Sequence, residues 1–410
     1  MLLPVRFTVT PEGSAAVLAA ILAGVALGTV SGLTPGLHAN TFALGLAAVA
    51  SSVPGPPTLV GATMLAAGTT HTFLDVVPAL ALGVPDPAMA ASALPGHRLV
   101  IAGRGREAIR LSALGSGLAV VFAVPLAVPV TLAMRRAYPL IRQHLSLLLV
   151  LVAVLLVVTE RTPGGKVGAT MTLLASATLG FVTLDLTPQA PLPVGGMLAP
   201  LFAGLFGAPV LIESLGGGGV PPQDEATLAF SRRDVGALAL LGTGAGAIVG
   251  YIPGVSAAIA SAAALGVLSG SGPRAFVVTT SGVNTATAVF ALFSLVALGS
   301  PRTGVLVAVE SAGVPLNLPV LLASVGLAAV VAAVLVPVLG DRYLEWARRA
   351  NQNRLAVGIL SLLVALSFLF AGFVGVAAFG VATLVGSIPA HFGAKRANCM
   401  GVLLGPLALS

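Results

Sequence analysis

Several stretches of this chain run as far as a lipid bilayer is thick without one charged side chain. Ala15–Leu33, Leu111–Met134, Val167–Leu184, Val314–Gly340 and Leu355–Ala390 are all of this kind. A helix needs roughly 20 mostly apolar residues to cross the hydrocarbon core. Inside that core every backbone N–H and C=O must find its partner within the protein, so only helices and closed barrels can span. The runs are continuous and do not alternate with period two, which selects helices. The expected fold is therefore all-α, a polytopic transmembrane helical bundle with roughly ten to twelve membrane-embedded segments. Leu355–Ala390 is long enough for two short spans with a turn near Gly372–Gly375. No small-residue cleavage site is clear near the N-terminus, so Ala15–Leu33 reads as a retained first span.

Composition agrees. Only 8% of residues are charged and 57% are hydrophobic, where a soluble domain carries about 25% charged residues. The net charge of +7 does not indicate nucleic acid. The basic residues sit in short loops between spans, at Arg98–Arg110, Arg135–Arg142 and Arg342–Arg354, and such loops are enriched in Lys and Arg by membrane topology. The partner implied is the lipid bilayer, in a multi-pass cell-membrane protein. A single cysteine, Cys399, excludes an internal disulfide and a cysteine-based metal cage. No HExxH, GxSxG or P-loop motif is present, so neither an enzyme nor a P-loop ATPase is expected, and no cofactor.

Glycine and proline, 50 and 29 in number, fall inside the apolar runs. Breaks in a membrane helix persist only where protein or a watery cavity satisfies the freed backbone groups. One break is Gly32-Leu33-Thr34-Pro35-Gly36, and another is Gly250-Tyr251-Ile252-Pro253-Gly254, with the prolines 218 residues apart. Each is followed by a polar segment, Thr69-Thr70-His71 or Thr279-Thr280-Ser281, and then by Leu82-Gly83-Val84-Pro85 or Leu298-Gly299-Ser300-Pro301. This order points to two pseudo-symmetric repeats, with an inverted relation favoured. Residues 1–214 form the first, 215–234 a polar hinge-like loop and 235–410 the second. Matching broken segments in two halves are the best sequence pointer to a transporter binding site.

The candidate substrate-binding residues follow from the breaks. In the first half they are Thr34, Pro35, Gly36, His38, Asn40 and Thr41, where freed amides suit an anion and freed carbonyls a cation such as Na⁺. In the second half they are Pro253, Gly254, Ser256, Thr280, Asn284 and Thr285. The structural alternative is proline kinks and hydroxyls bonding to neighbouring helices. His71 and Asp75, spaced i, i+4 on one helix face, are candidates for ion or proton coupling. So is Asp86, whose alternative role is helix capping. Glu310 has no assigned role, and Arg98 and Arg104 are accounted for by topology.

In order along the chain, these motifs resemble those of the tripartite tricarboxylate transporter large membrane subunit (TctA) family. The resemblance is carried by Gly32–Gly36; by Pro87-Ala88 through Leu94-Pro95-Gly96-His97, with Gly103-Arg104 and Ala108; by Asn284–Ala286 with Leu298–Pro301; and by Ile388-Pro389, Met400-Gly401 and Leu403–Pro406. It departs at Pro95, which stands where the family has an aspartate; after Pro85, where the family's glycine is replaced by Asp86 or lost to a one-residue gap; and at Arg302, which stands where it has glycine. The resemblance implies a permease subunit with repeated halves that moves a small organic anion such as a carboxylate on an ion gradient, Na⁺ or H⁺. It also implies two partners, a small membrane subunit and an extracytoplasmic solute-binding protein. The competing function is a non-transporting scaffold or assembly subunit.

Overall fold

The computed structural model describes residues 10–409 except 36, 38, 51–54, 84–92, 193–195, 216–218, 253–254 and 267–271. The described residues are helical, without strands. Eight helices are long and apolar enough to cross a membrane, and three shorter apolar helices accompany them. The uncharged runs become α1 (Pro11–Leu33), α6 (Gly105–Gln143), α8 (Pro163–Thr183), α15 (Leu318–Arg349) and α16 (Gln352–Phe392). As expected, α16 is broken at Ala371 and Gly372, where the backbone leaves helical geometry and Gly372 takes φ +59°. The protein is a multi-pass helical membrane bundle.

The best-buried helices lie at the centre. The combined segment of α3 (Pro57–Leu74) and α4 (Val76–Leu82) is one, and α13 (Pro273–Leu298) is the other. Each is approached closely by the helix that precedes it. On α1, Gly24, Gly28 and Gly32 face Thr63, Ala67 and Leu74 of α3. On α11 (Arg232–Tyr251), Gly242, Gly246 and Gly250 face Thr279, Val283 and Phe290 of α13. A methyl group at Gly242 would sit 2.6 Å from the Thr279 carbonyl oxygen, and one at Gly246 2.9 Å from that of Val283. Small residues at every fourth position let helices pack backbone to backbone where no hydrophobic effect drives them together.

These contacts fix a register. The two glycine trios lie 218 residues apart, the same interval as the two break prolines, and the residues they touch lie 216 apart. At that second interval Leu82-Gly83 matches Leu298-Gly299, and both glycines cap their helices in the left-handed conformation. Thr69 then matches Thr285 and His71 matches Thr287. At that interval Thr69-Thr70, set beside Thr279-Thr280 in the sequence, falls at Thr285-Ala286.

Helix directions follow from the same contacts. Gly340 near the end of α15 packs on Ile109 near the start of α6, and Arg110 pairs with Asp341 at 2.8 Å. Arg274 in the first turn of α13 pairs with Glu107 in the first turn of α6. Gly61 near the start of α3 meets Val314, just ahead of α15. So α13 starts at the end of the bundle where α15 finishes, and α3 starts at the opposite end. The α1–α3 pair and the α11–α13 pair run antiparallel to each other. The helices also interlock: α6 packs on α13 and α15 packs on α3.

One end of this core gathers Arg98, Arg104, Arg106, Arg110, Arg274 and Arg342–Arg354. The buried Glu107 carboxylate there holds Arg274 at 2.8 and 3.0 Å, Arg104 at 2.8 Å and the Ala229 backbone N–H at 3.0 Å. The loop between the halves is fastened at the same place. Gln223 accepts from the Gly105 N–H at 2.7 Å and donates to the Val100 carbonyl at 3.0 Å, and the Asp224 N–H donates to the Gly103 carbonyl at 2.8 Å. The opposite end of α6 and α13 carries fewer cations, where Arg302 bonds to and lies over Tyr138.

Two outcomes are expected. Gly246→Val forces α11 off α13 and costs about 1–3 kcal/mol of stability, whereas Gly244→Ala on the same helix, with open space around it, does not lower the thermal midpoint. Thermal unfolding monitored by size-exclusion chromatography checks both. The positive-inside rule predicts that the basic end faces the cytoplasm, so a cysteine at the exposed Arg349 is expected to be labelled by an impermeant maleimide only from inside and one at Glu310 only from outside. Cys399 is buried and gives little background. Labelling of both from one side sinks the assignment.

Candidate functional site

At the middle of the bundle, the α3–α4 segment bends at Asp75. Pro78 is the cause: it has no N–H to give the Leu74 carbonyl, and its ring crowds that carbonyl, so the helix ladder is interrupted there. The Asp75 N–H still donates to the His71 carbonyl at 2.9 Å. The bend leaves the Asp75 side chain 5% exposed and facing α13. Asn284 Nδ2 donates to Asp75 Oδ2 at 2.8 Å and lies 3.5 Å from the Thr72 carbonyl oxygen. With acceptors on both sides, the amide has its NH₂ toward α3. This bond joins two residues 209 positions apart, on helices of opposite halves.

One turn before Asp75, His71 is also buried. Its Nδ1 lies 2.9 Å from Ser31 Oγ on α1, and Ser31 donates to the Gly28 carbonyl at 3.2 Å. Both bonds are satisfied when His71 Nδ1–H donates to Ser31. On the far side of α13, Ser281 Oγ lies 2.7 Å from Ser112 Oγ, and Ser116 donates to the Ser281 carbonyl at 3.3 Å. At the foot of α4, His97 Nδ1–H donates to the Leu80 carbonyl at 2.7 Å, and burial lowers its pKa.

The helical threonines include two contrasting sets. Thr29, Thr34, Thr63, Thr131, Thr172, Thr183, Thr243, Thr287 and Thr383 each donate to the carbonyl one turn back. Thr70, Thr279, Thr280 and Thr285 are fully buried and have no hydrogen-bond partner for their hydroxyls among the described residues. All four exceptions lie on α3 or α13. An unpaired buried hydroxyl costs roughly 1–3 kcal/mol, so such groups collect where something else satisfies them.

The structure thus brings together Asp75 and Asn284, two of the residues singled out from the sequence, with Thr280 one turn away from Asn284 on α13 and His71 one turn away from Asp75. Thr285 lies on α13 one turn beyond Ser281. Two nominated hydroxyls are occupied locally. Thr34 bonds the Val30 carbonyl at 2.7 Å, and Ser256 accepts from the Ile259 N–H at 3.3 Å as it caps α12 (Ala257–Gly266). Pro35 lies in the turn that ends α1. Gly36, His38, Asp86, Pro253 and Gly254 lie outside the described residues, as do the side chains of Asn40 and Thr41 on α2 (Ala39–Ala50). Glu310 is exposed near the end of α14 (Gly304–Ser311). Among the described residues, no group of three His, Cys, Asp or Glu side chains is placed to hold a metal. Sequence reasoning passed over Pro78, Ser31, Ser112 and Ser116. Pro78 was legible in principle, as a proline inside a run that otherwise reads as one helix.

The family model of the tripartite tricarboxylate transporter TctA family matches residues 18–401. The uncharacterized protein MJ1079 of Methanocaldococcus jannaschii is 25% identical over 348 residues, 83% of this chain and 85% of that protein. No solved structure matches. The family match covers nearly the whole helical bundle, both central helices included, and the chain belongs to the tripartite tricarboxylate transporter TctA family of membrane transporters.

Proposed function

We propose that this chain is the permease subunit of an ion-coupled secondary transporter for a small organic anion of the carboxylate class, and that its site lies between the α3–α4 bend and α13. The observation that carries the reading is the buried Asp75–Asn284 hydrogen bond. A carboxylate and an amide at membrane depth are costly and are functional candidates by default. These two sit on the best-buried helices of opposite halves, with Thr280, whose hydroxyl has no partner among the described residues, one turn from Asn284. The antiparallel arrangement of the two glycine-packed pairs supports two inverted repeats, an architecture that places the cargo site at the repeat interface. Motion of one broken, buried assembly against the other would expose the site to each side in turn. The carboxylate class is inferred from family membership, and so are the small membrane subunit and the extracytoplasmic binding protein as partners.

The scaffold alternative makes Asp75–Asn284 mere helix glue. Uptake of a panel of labelled carboxylates into proteoliposomes separates the two, with the chain alone and with the family's two partner components added. Gradient-dependent uptake is expected, and Asn284→Ala, which strips Asp75 of its amide, lowers it by about tenfold or more. Uptake that survives Asn284→Ala unchanged removes the site, and no uptake of any carboxylate under either condition removes the cargo class.

A further inference from the structure

We propose that Asp75, Asn284, Thr280 and the carbonyls of Thr72 and Leu74 form one binding site per chain for a monovalent cation of sodium's size. The proposal deepens the carrier reading by naming its coupling ion, and it relies on that reading only for the ion's purpose.

Oxygen supply is the first argument. Sodium in membrane carriers is held by freed backbone carbonyls and side-chain oxygens. Pro78 deprives the Leu74 carbonyl of its helical donor, and it does so at the residue before Asp75. The Asp75 carboxylate and the Thr72 carbonyl already converge on one positively polarised group, the NH₂ of Asn284, at 2.8 and 3.5 Å. A cation lying between those oxygens is met by the Asn284 side-chain oxygen once the amide turns over. Thr280 adds a hydroxyl one helical turn from Asn284. It is fully buried and has no partner among the described residues, although many other threonines bond back to their own helix.

Charge is the second argument. An anionic cargo entering beside a buried carboxylate meets a repulsion that the low dielectric magnifies. Binding a cation at Asp75 removes that repulsion, so cargo and ion favour each other's binding. The titratable groups described near Asp75 are His71, one turn earlier and bonded to Ser31, and His97, bonded to the Leu80 carbonyl. A proton on Asp75 is the competing means of neutralisation.

Register is the third argument, and it sets the stoichiometry. At the 216-residue interval Asp75 answers to Ala291 and Asn284 to Gly68. The symmetry-related position offers no polar side chain, so the site occurs once.

The test is binding of radiolabelled Na⁺ to the purified full chain in detergent, over a choline background and without cargo. Saturable binding of one ion per chain is expected. Asp75→Asn abolishes it, Thr280→Val weakens it about tenfold or more, and Thr280→Ser retains it. Thr243→Val, which removes a hydroxyl bonded within α11, leaves it unchanged. Each variant is first shown to be monodisperse. No saturable Na⁺ binding to the unsubstituted chain, or equal binding by Thr280→Val, overturns the site. Carboxylate uptake driven by a proton gradient with no Na⁺ binding overturns this proposal and spares the carrier reading. Na⁺ binding without carboxylate uptake supports the site and removes the cargo class.

Discussion

A polar group in hydrocarbon has no water to fall back on, and most features of this structure follow from that constraint. It makes the chain helical. It also explains why most helical threonines turn their hydroxyls onto the carbonyl one turn back, which satisfies the group without help from a neighbour. The same constraint makes the exceptions informative. Asp75, Asn284 and the four unpartnered threonines are concentrated on α3 and α13, the two helices most shielded from lipid. Polar groups that would be costly anywhere facing lipid are carried by these two helices.

Packing and chemistry are divided between different residues. The glycine trios of α1 and α11 bring backbones together by van der Waals contact alone, and they leave α3 and α13 free to carry side chains that do not serve packing. At the basic end, ionic contacts take over. Glu107 there joins the first turns of α6 and α13 to the loop between the halves, and Gln223 and Asp224 fasten that loop to the α5–α6 turn, where α5 is Ala93–Ile101. The segment that reads from its glycines and prolines as a hinge is, over residues 223–229, tied to the α5–α6 turn and to Glu107 of α6. Any relative movement of the halves must therefore strain or release these bonds, while the apolar contact of Val314 on Gly61 at the opposite end carries no such tie.

Much of the fold was legible in the sequence, because an uncharged run of span length has few alternatives in a membrane. The break at Gly372 was legible for the same reason, since Leu355–Ala390 is too long for one span. The central pairing was not. Asp75 and Asn284 could each be nominated from their setting, but nothing local says that residues 209 positions apart share a hydrogen bond. The glycine trios were hidden by abundance: with 50 glycines, spacing by four is common, and only the neighbouring helix shows which ones are in contact. The 210-residue spacing of Thr69-Thr70 and Thr279-Thr280 differs from the 216 residues between the glycine contacts. Paired threonines recur in small-residue helices, whereas the backbone contact of Gly246 with Val283 admits one alignment. Orientation required the helix directions, because Arg135–Arg142 and Arg98–Arg110 flank one long helix and only the structure shows which end gathers the rest of the positive charge.

The register also separates what the halves share from what they do not. They share the backbone devices, namely the glycine trios, the prolines of the two breaks and the left-handed glycines that end α4 and α13. They differ in their polar side chains, with His71 against Thr287, Asp75 against Ala291, Gly68 against Asn284 and, in sequence, Asp86 against Arg302. In the proposed carrier, opening toward either face of the membrane would need two halves able to exchange conformations, and that demand falls on the backbone. A binding site has no such demand. One carboxylate with one amide suffices, and a second copy would add another costly buried charge. Symmetric packing around an asymmetric polar centre is the outcome these two requirements favour, and it accounts for why the residues that distinguish the halves are those at the proposed site.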